Sequence, residues 1–241
     1  MFNSTSYALS EHIYDPSHTF KAMGNIKSGF GNFGVGALVT CSGGVYQRVN
    51  TSDADLKYAY GVLSGTVNAK SDTAIGGILH RGVFDVHEIY VAAKETFSPS
   101  NGDTSVTLSY TPKAGTVEVY VDDSLNTEWS IDGDDLTGFS AFAGTESVDV
   151  YYGWGAKKQT FTSTTSCDCE EAIKEGTLSV YDGDTKLTEG SGDDYTVNYT
   201  TGVITLASSP SGTVTVRYLT SDFISVLVDA EEMEIYAINK Y

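Results

Sequence analysis

The side chains best able to do chemistry in this chain of 241 residues are four histidines, three cysteines and several groups of aspartates. His12 and His18 lie near the start, whereas His80 and His87 bracket a segment of alternating apolar residues. The odd spacing of the second pair would point its two imidazoles to opposite faces of a strand. No pair has the helical His-Glu-x-x-His spacing of a zinc site. We therefore expect structural histidines rather than a metal centre.

The three cysteines are too few for a disulfide framework. Cys167 and Cys169 flank one aspartate, which brings two thiols together, but the sequence has no second pair to complete four zinc ligands. Ordinary thiols are the simpler interpretation. A metal or redox role is the alternative.

Three acidic loops, at residues 132–135, 182–184 and 193–194, carry the carboxylates that calcium prefers. None has the spacing of a helix–loop–helix calcium site, and Asp-Gly is also an ordinary turn signal. Solvated turns are the simpler interpretation, with calcium as the alternative. No carboxylate pair is singled out for glycan hydrolysis, and the sequence has no nucleophile elbow, phosphate loop or kinase motif. We predict a protein that is not an enzyme and has no cofactor and no metal.

The formal net charge is −18, from 14 basic and 32 acidic side chains. Nucleic-acid binding needs Lys and Arg to displace phosphate counterions, so this charge argues against nucleic acid, and equally against anionic membranes. The sequence contains no apolar run of about 18 residues and no signal-peptide pattern at its start. We expect self-repulsion that favours solubility, with attraction to a basic surface as the alternative, and synthesis in a cytoplasm.

The elements that must position these side chains are short strands. Residues 33–89 alternate apolar and polar side chains in short runs broken by turn formers, which predicts strands. Glycines inside the runs indicate bulges or bends, as in a small curled barrel. Residues 1–32 are polar and rich in glycine, and alone they cannot offset their ordering entropy. Either they form a disordered terminus or they form an arm that adds a strand to a partner's sheet edge.

Residues 98–241 contain an internal repeat. Three segments of the first copy match three of the second in order and chemistry, at residues 115–120, 133–137 and 148–152 and then at 176–181, 192–196 and 214–218. At the end of the chain, residues 223–228 and 233–238 have the pattern of two apolar strands, which could complete the last module or return to the first domain. We predict a mainly β fold: an N-terminal arm (1–20), a small β-barrel or β-tulip-like domain (21–97) and two related β-sandwich modules (98–158 and 159–241).

The order of signals resembles the lambda-type head decoration proteins of tailed phages, a capsid-stabilising family. The matching segments are Gly36-Ala37-Leu38-Val39, Val45-Tyr46-Gln47-Arg48-Val49, Ala59-Tyr60-Gly61-Val62-Leu63 and Arg81-Gly82-Val83-Phe84, preceded by Asp15-Pro16-Ser17-His18-Thr19. The resemblance covers about the first two-fifths of the chain. The sandwich modules also resemble small β-sandwiches of phage virion proteins.

The resemblance implies a structural virion protein that binds the major capsid protein on the outside of an expanded head, as a homotrimer at local threefold axes. It implies a capsid-binding arm formed by Tyr14, Asp15, Pro16, Ser17, His18, Thr19 and Phe20. The two later modules would project outward. A second hypothesis is an adhesin or head-fibre component whose β-sandwich repeats bind host surface glycans. A glycan hydrolase is the third and weakest hypothesis.

Overall fold

The structure, a computed structural model, describes residues 20–50, 59–85, 88–169, 171–232 and 235–238. The fold is mainly β, with a closed barrel of 5 strands near the N-terminus and several small antiparallel sheets. The predicted fold class is therefore confirmed, while the predicted arm before residue 20 lies outside the described residues. Within the described ranges, no helix has the length and apolar composition needed to cross a bilayer.

The barrel comes from the first third of the chain. Its strands and their short companions are β1 (Phe20–Ile26), β2 (Asn32–Phe33), β3 (Ala37–Ser42), β4 (Val45–Arg48), β5 (Gly61–Leu63), β6 (Val67–Asn68) and β7 (Ala74–Asp85). The ring closes in the order β3–β4–β1–β7–β5 and back to β3. Only the β1–β4 pair is parallel. Closure leaves no free edge around the ring, which removes the hazard of an exposed strand edge.

Alternation along these strands places apolar side chains inside the barrel. Ile26, Leu63 and Ile78 are fully buried, and the Phe30 and Phe33 rings meet edge to face with centroids 5.5 Å apart. Two glycines are required by close approach. A Cβ on Gly24 would collide with the Tyr46 ring, and Gly36, at φ +94°, would place a Cβ against the carbonyl of Glu88.

The first sandwich follows directly. Its strands are β8 (Tyr90–Phe97), β9 (Ser105–Thr107), β10 (Glu118–Val121), β11 (Ser124–Asn126), β12 (Ser130–Asp132), β13 (Asp135–Thr137) and β14 (Val148–Gly155). β8 pairs along its whole length with β14 and, at Ala37↔Tyr90 and Leu38↔Val91, also with β3. Barrel and sandwich thus share one 10-stranded sheet, and this sheet crosses residue 97, where the sequence suggested a domain boundary.

The second sandwich repeats the first strand for strand. It consists of β15 (Lys157–Thr162), β16 (Ser166–Asp168), β17 (Ser179–Asp182), β18 (Thr185–Lys186), β19 (Tyr195–Asn198), β20 (Val203–Leu206) and β21 (Thr213–Tyr218). The order β15–β21–β17–β18 matches β8–β14–β10–β11, and β16–β20–β19 matches β9–β13–β12. Only Ala156 separates β14 from β15. The unit of repetition therefore begins at β8.

Equivalent hydrogen bonds support this correspondence. In the first copy the Thr116 hydroxyl donates to the carbonyl of Lys113 at 2.6 Å, and in the second the Thr177 hydroxyl donates to the carbonyl of Lys174 at 2.6 Å. The first and last segments matched in the sequence lie on equivalent strands. The middle match was wrong: residues 133–135 form the β12–β13 turn, whereas residues 192–194 precede β19. Gly-Asp-Asp is ordinary turn chemistry and recurs in non-equivalent loops.

The predicted strand at residues 223–228 is instead part of a helix, α1 (Ser221–Glu232). The Phe223 N–H donates to the Thr220 hydroxyl at 3.4 Å, a side-chain cap at the helix start. Phe223 and Val226, one helical turn apart, are both buried. Phe223 and Val226 therefore lie on one buried stripe of the helix.

The last strand, β22 (Ile235–Ile238), was predicted correctly, and its pairing decides between the two alternatives for the C-terminus. It runs parallel to β7, with Ile235 opposite Gly82 and Ile238 opposite Asp85. The chain thus returns to the first domain after both sandwiches. On the way, Phe223 packs on Trp154 with ring centroids 6.0 Å apart at 65°.

Replacing Phe223 with alanine should lower the free energy of unfolding by about 3–5 kcal/mol, because a buried ring is lost and a cavity remains. Leu125→Ala is the control: Leu125 is 61% exposed, so its truncation should change the free energy by less than about 0.5 kcal/mol. Urea denaturation of the full chain measures both. If both variants lost equally little free energy of unfolding, the packing of α1 through Phe223 would not stabilise the fold.

Candidate functional site

Most of the predicted capsid-binding arm lies outside the described residues. This holds for Tyr14, Asp15, Pro16, Ser17, His18 and Thr19. The last member, Phe20, is the first residue of β1 and pairs with Arg81 of β7. The arm therefore stays a prediction, and it leads directly into the barrel.

The histidines do not meet at a metal site in the described part of the chain. His80 lies on β7, where its Nε2 is 2.9 Å from the Tyr46 hydroxyl and its ring packs edge to face with Tyr60. His12, His18 and His87 are outside the described residues. Among the residues that are described, no group of three or more His, Cys, Asp or Glu side chains could hold a metal ion.

The paired thiols are core residues of the second sandwich. Cys167 and Cys169 are both fully buried. Burial raises the pKa of Cys169 to about 12, so the thiol stays protonated at neutral pH and is a poor nucleophile or ligand. The Tyr218 hydroxyl donates to the carbonyl of Cys169 at 3.2 Å, which ties the segment to β21.

The acidic loops support turns. The Asp182 carboxylate accepts hydrogen bonds from the Ser211 N–H at 2.7 Å, the Ser211 hydroxyl at 2.8 Å and the Gly212 N–H at 2.9 Å. In the first copy, the Ser147 N–H donates to Asp122 at 2.9 Å. These bonds use carboxylate oxygens that a calcium ion would need. The donors from Ser211, chiefly its backbone N–H, hold the pKa of Asp182 below its ordinary value.

Because the native pKa of Asp182 is lowered, its stabilisation is fully present above the ordinary carboxyl pKa and is lost as pH falls through the native value. Asp182→Asn should therefore lower the Tm at pH 7, and this difference should shrink below about pH 4. Asp184→Asn, which removes a charge from the same turn, is the control for net charge. A Tm difference that persists unchanged at about pH 2 would contradict the assignment. Calorimetry across this pH range is the measurement.

A cleft of about 670 Å³ lies between the barrel and the first sandwich. Its walls are residues 27–30 and 47–50 on the barrel side and residues 91–95, 109–110, 152 and 154 on the sandwich side. A volume of this size lies within the range of ordinary ligand pockets. We call this feature the junction cleft.

The cleft exists because β4 and β8 share one edge of β3. β8 occupies that edge at Ala37 and Leu38, and β4 occupies it from Val39 onward. The two strands therefore diverge and leave a wedge between them. Consecutive residues of β8, from 91 to 95, line this wedge, so the strand presents its main-chain edge as well as side chains.

The charged groups of the junction cleft differ in how well they are satisfied. The Lys94 ammonium pairs with Asp149 at 2.7 Å, and the Lys27 ammonium donates to Gln47 at 3.1 Å. Glu95 accepts the hydroxyl hydrogen bond of Tyr152. It also accepts bonds from the Ser109 N–H at 3.1 Å and the Ser109 hydroxyl at 3.0 Å, so it is held by three donor groups.

Arg48 is the exception. Its Nη1 is buried and has no hydrogen-bond partner among the described residues. Burial lowers the pKa of the guanidinium, while Tyr151 and Asp149 act in the opposite direction. A buried donor without an acceptor costs about 1–3 kcal/mol, so this atom marks the place where an acceptor is missing.

An aromatic pair forms the floor of the cleft beside these charges. The Tyr110 ring stacks on Trp154 with centroids 4.1 Å apart and planes 10° from parallel. Trp154 is buried, at 2% exposure, whereas Tyr110 is half-buried and lines the cleft. Sequence reasoning did not predict this site. Arg48 lies in a segment predicted as strands, Tyr110 was not singled out, and no local pattern links two segments so far apart.

A second exposed feature lies on the outer face of β1 and β7. Met23 is 64% and Ile75 70% exposed. The register places Met23 opposite Gly77 and Asn25 opposite Ile75, so the two apolar side chains are diagonal neighbours on one face. We call this pair the outer apolar patch.

A scan against models of known protein families finds no match to this chain, and a search of curated proteins finds none.

Arg48→Met should leave the free energy of unfolding unchanged within about 1 kcal/mol, because the unpaired Nη1 is removed while the apolar stem is kept. Lys94→Met removes the ion pair to Asp149 and should cost about 1 kcal/mol. Thermal melts of both variants, each lacking one charge, provide the comparison. A much larger loss for Arg48→Met than for Lys94→Met would contradict this account of the cleft.

Proposed function

We propose that this chain is a structural virion protein that binds the major capsid protein on the outside of an expanded phage head and stabilises the shell. The barrel is the contacting body, and residues 14–20 extend the contact as an arm. The sequence resemblance to head decoration proteins motivates this proposal. A partner that binds only the assembled lattice stabilises it by mass action.

The observation that carries the proposal is the position of the outer apolar patch. In the ring β3–β4–β1–β7–β5, the β1–β7 pair lies across the barrel from β3, and β3 is the strand that leads to the sandwiches. Neighbouring exposed apolar residues can form a contact surface. The patch therefore supports a lattice-facing side of the barrel, across from the strand that pairs with the first sandwich.

The arm and the patch support each other. β1 begins at Phe20 and carries Met23, so the last residue of the proposed arm lies on the same strand as one residue of the outer apolar patch. A strand added by the arm to a capsid sheet edge would bring this face against the shell. A homotrimer around a local threefold axis would multiply such weak contacts through avidity.

The test uses expanded heads assembled from the capsid protein of the same phage, without this chain. The intact protein should bind in a sedimentation assay and raise the melting temperature of the heads. Met23→Asp combined with Ile75→Asp should weaken binding at least about tenfold, since two apolar contacts are replaced by buried charges. Deletion of residues 1–19 should also weaken binding.

Leu125→Asp is the matched control, because Leu125 is an exposed apolar residue on the first sandwich and should tolerate the charge. Failure of the intact chain to bind heads would refute the proposal. Equal binding by the patch variant and by Leu125→Asp would refute the role given to the outer apolar patch.

A further inference from the structure

The junction cleft has a charge opposite to that of the molecule as a whole. Acidic side chains outnumber basic ones 32 to 14 in the chain. The cleft is nevertheless lined by Lys27, Arg48 and Lys94, with Glu95 as the acidic member. Lys94 is paired with Asp149, so Lys27 and Arg48 supply the positive charge that exceeds Glu95. Since low-dielectric walls concentrate an electrostatic field, this pocket attracts a small anion while the rest of the surface repels large polyanions.

Arg48 indicates what the anion must supply. Its buried Nη1 lacks an acceptor among the described residues, and a guanidinium binds planar carboxylates with a fork of parallel hydrogen bonds. The neighbouring Lys27 is exposed and adds positive charge on the same wall. Arg48 lines the cleft, so a carboxylate bound there would pair with its guanidinium.

The other walls fit a sugar. Tyr110 presents a half-buried ring backed by Trp154, and flat aromatic faces bind the apolar faces of sugar rings through apolar contact. Gln47 lines the same space, and its side-chain amide N–H₂ can donate to a sugar hydroxyl. The main-chain edge of β8 adds further donors and acceptors.

We propose that the junction cleft binds a carboxylated sugar of an acidic oligosaccharide, with its carboxylate on Arg48 and its ring against Tyr110. β3 pairs with β8 at Tyr90 and Val91 and closes one end of the wedge. A closed end favours a short ligand over a peptide strand that runs along the whole edge. This site is independent of the outer apolar patch, so it can stand if the capsid role fails.

The test titrates the full chain with trigalacturonic acid and follows binding by calorimetry and tryptophan fluorescence. Binding should be saturable and should weaken several-fold as ionic strength rises from about 0.05 to 0.5 M. The same trisaccharide with methyl-esterified carboxyls keeps the rings but loses the charge, and should not bind at the same concentrations.

Arg48→Gln should weaken binding at least about tenfold, because a hydrogen bond to a charged group is lost. Arg48→Lys should recover only part of the affinity, since it restores charge without the fork. Lys186→Gln removes one charge from an exposed position on β18 of the second sandwich and should bind like the parent chain. If Arg48→Gln fails to fold, Lys27→Gln tests the same wall at an exposed position.

Triglutamate and inorganic phosphate are the competing probes. Binding of triglutamate as tight as that of the sugar would replace the proposal with a peptide site, and equally tight phosphate binding would reduce it to a general anion site. No binding of trigalacturonic acid, or equal affinity for Arg48→Gln and Lys186→Gln, would overturn it.

Discussion

The structure depends on strand β8, which pairs with both the barrel and the rest of the first sandwich. β8 has two hydrogen-bonding edges, and one of them is committed along its full length to β14. The other edge is tied to β3 at only two positions, Ala37↔Tyr90 and Leu38↔Val91. Because β8 is hydrogen-bonded to β14 on one side and to β3 on the other, the barrel and the first sandwich belong to one continuous sheet. The wedge beyond Val91, and with it the junction cleft, is a direct consequence of this sharing.

The C-terminal segment reinforces the same junction. Phe223 of α1 belongs to the buried cluster that also contains Ile89, Val91 and Trp154, and β22 then pairs with β7. Both sandwiches are therefore an insertion between elements that contact each other. Closing so long a loop adds little entropy cost relative to a shorter one, because that cost grows only with the logarithm of loop length. The free energy gained by burying Phe223 offsets part of this entropy cost.

The two sandwiches show how one architecture takes different roles. The Tyr152 hydroxyl donates to Glu95 in the first copy, and the Tyr218 hydroxyl lies 3.2 Å from Gln159 Oε1 at the equivalent position of the second. The first copy shares its core with the barrel, whereas the second has its own buried cluster, which includes Cys167. The junction cleft forms where a neighbouring barrel supplies the opposite wall. The equivalent glutamine is uncharged.

The strands, which depend only on local alternation of apolar and polar residues, could be predicted from the sequence alone. A period of two predicts strands whatever their partners, so the mainly β class, the curled barrel and the outer segments of the repeat were all predictable. The alternation did not show which strands would pair with one another. Residues 223–228 have local strand propensity, but the cap on Thr220 and burial against Trp154 make them a helix. The pairing of β8 with β3 and β14, and the meeting of Arg48 with Tyr110 in one cleft, were decided by tertiary structure, because contacts between distant segments leave no periodic signal in either segment.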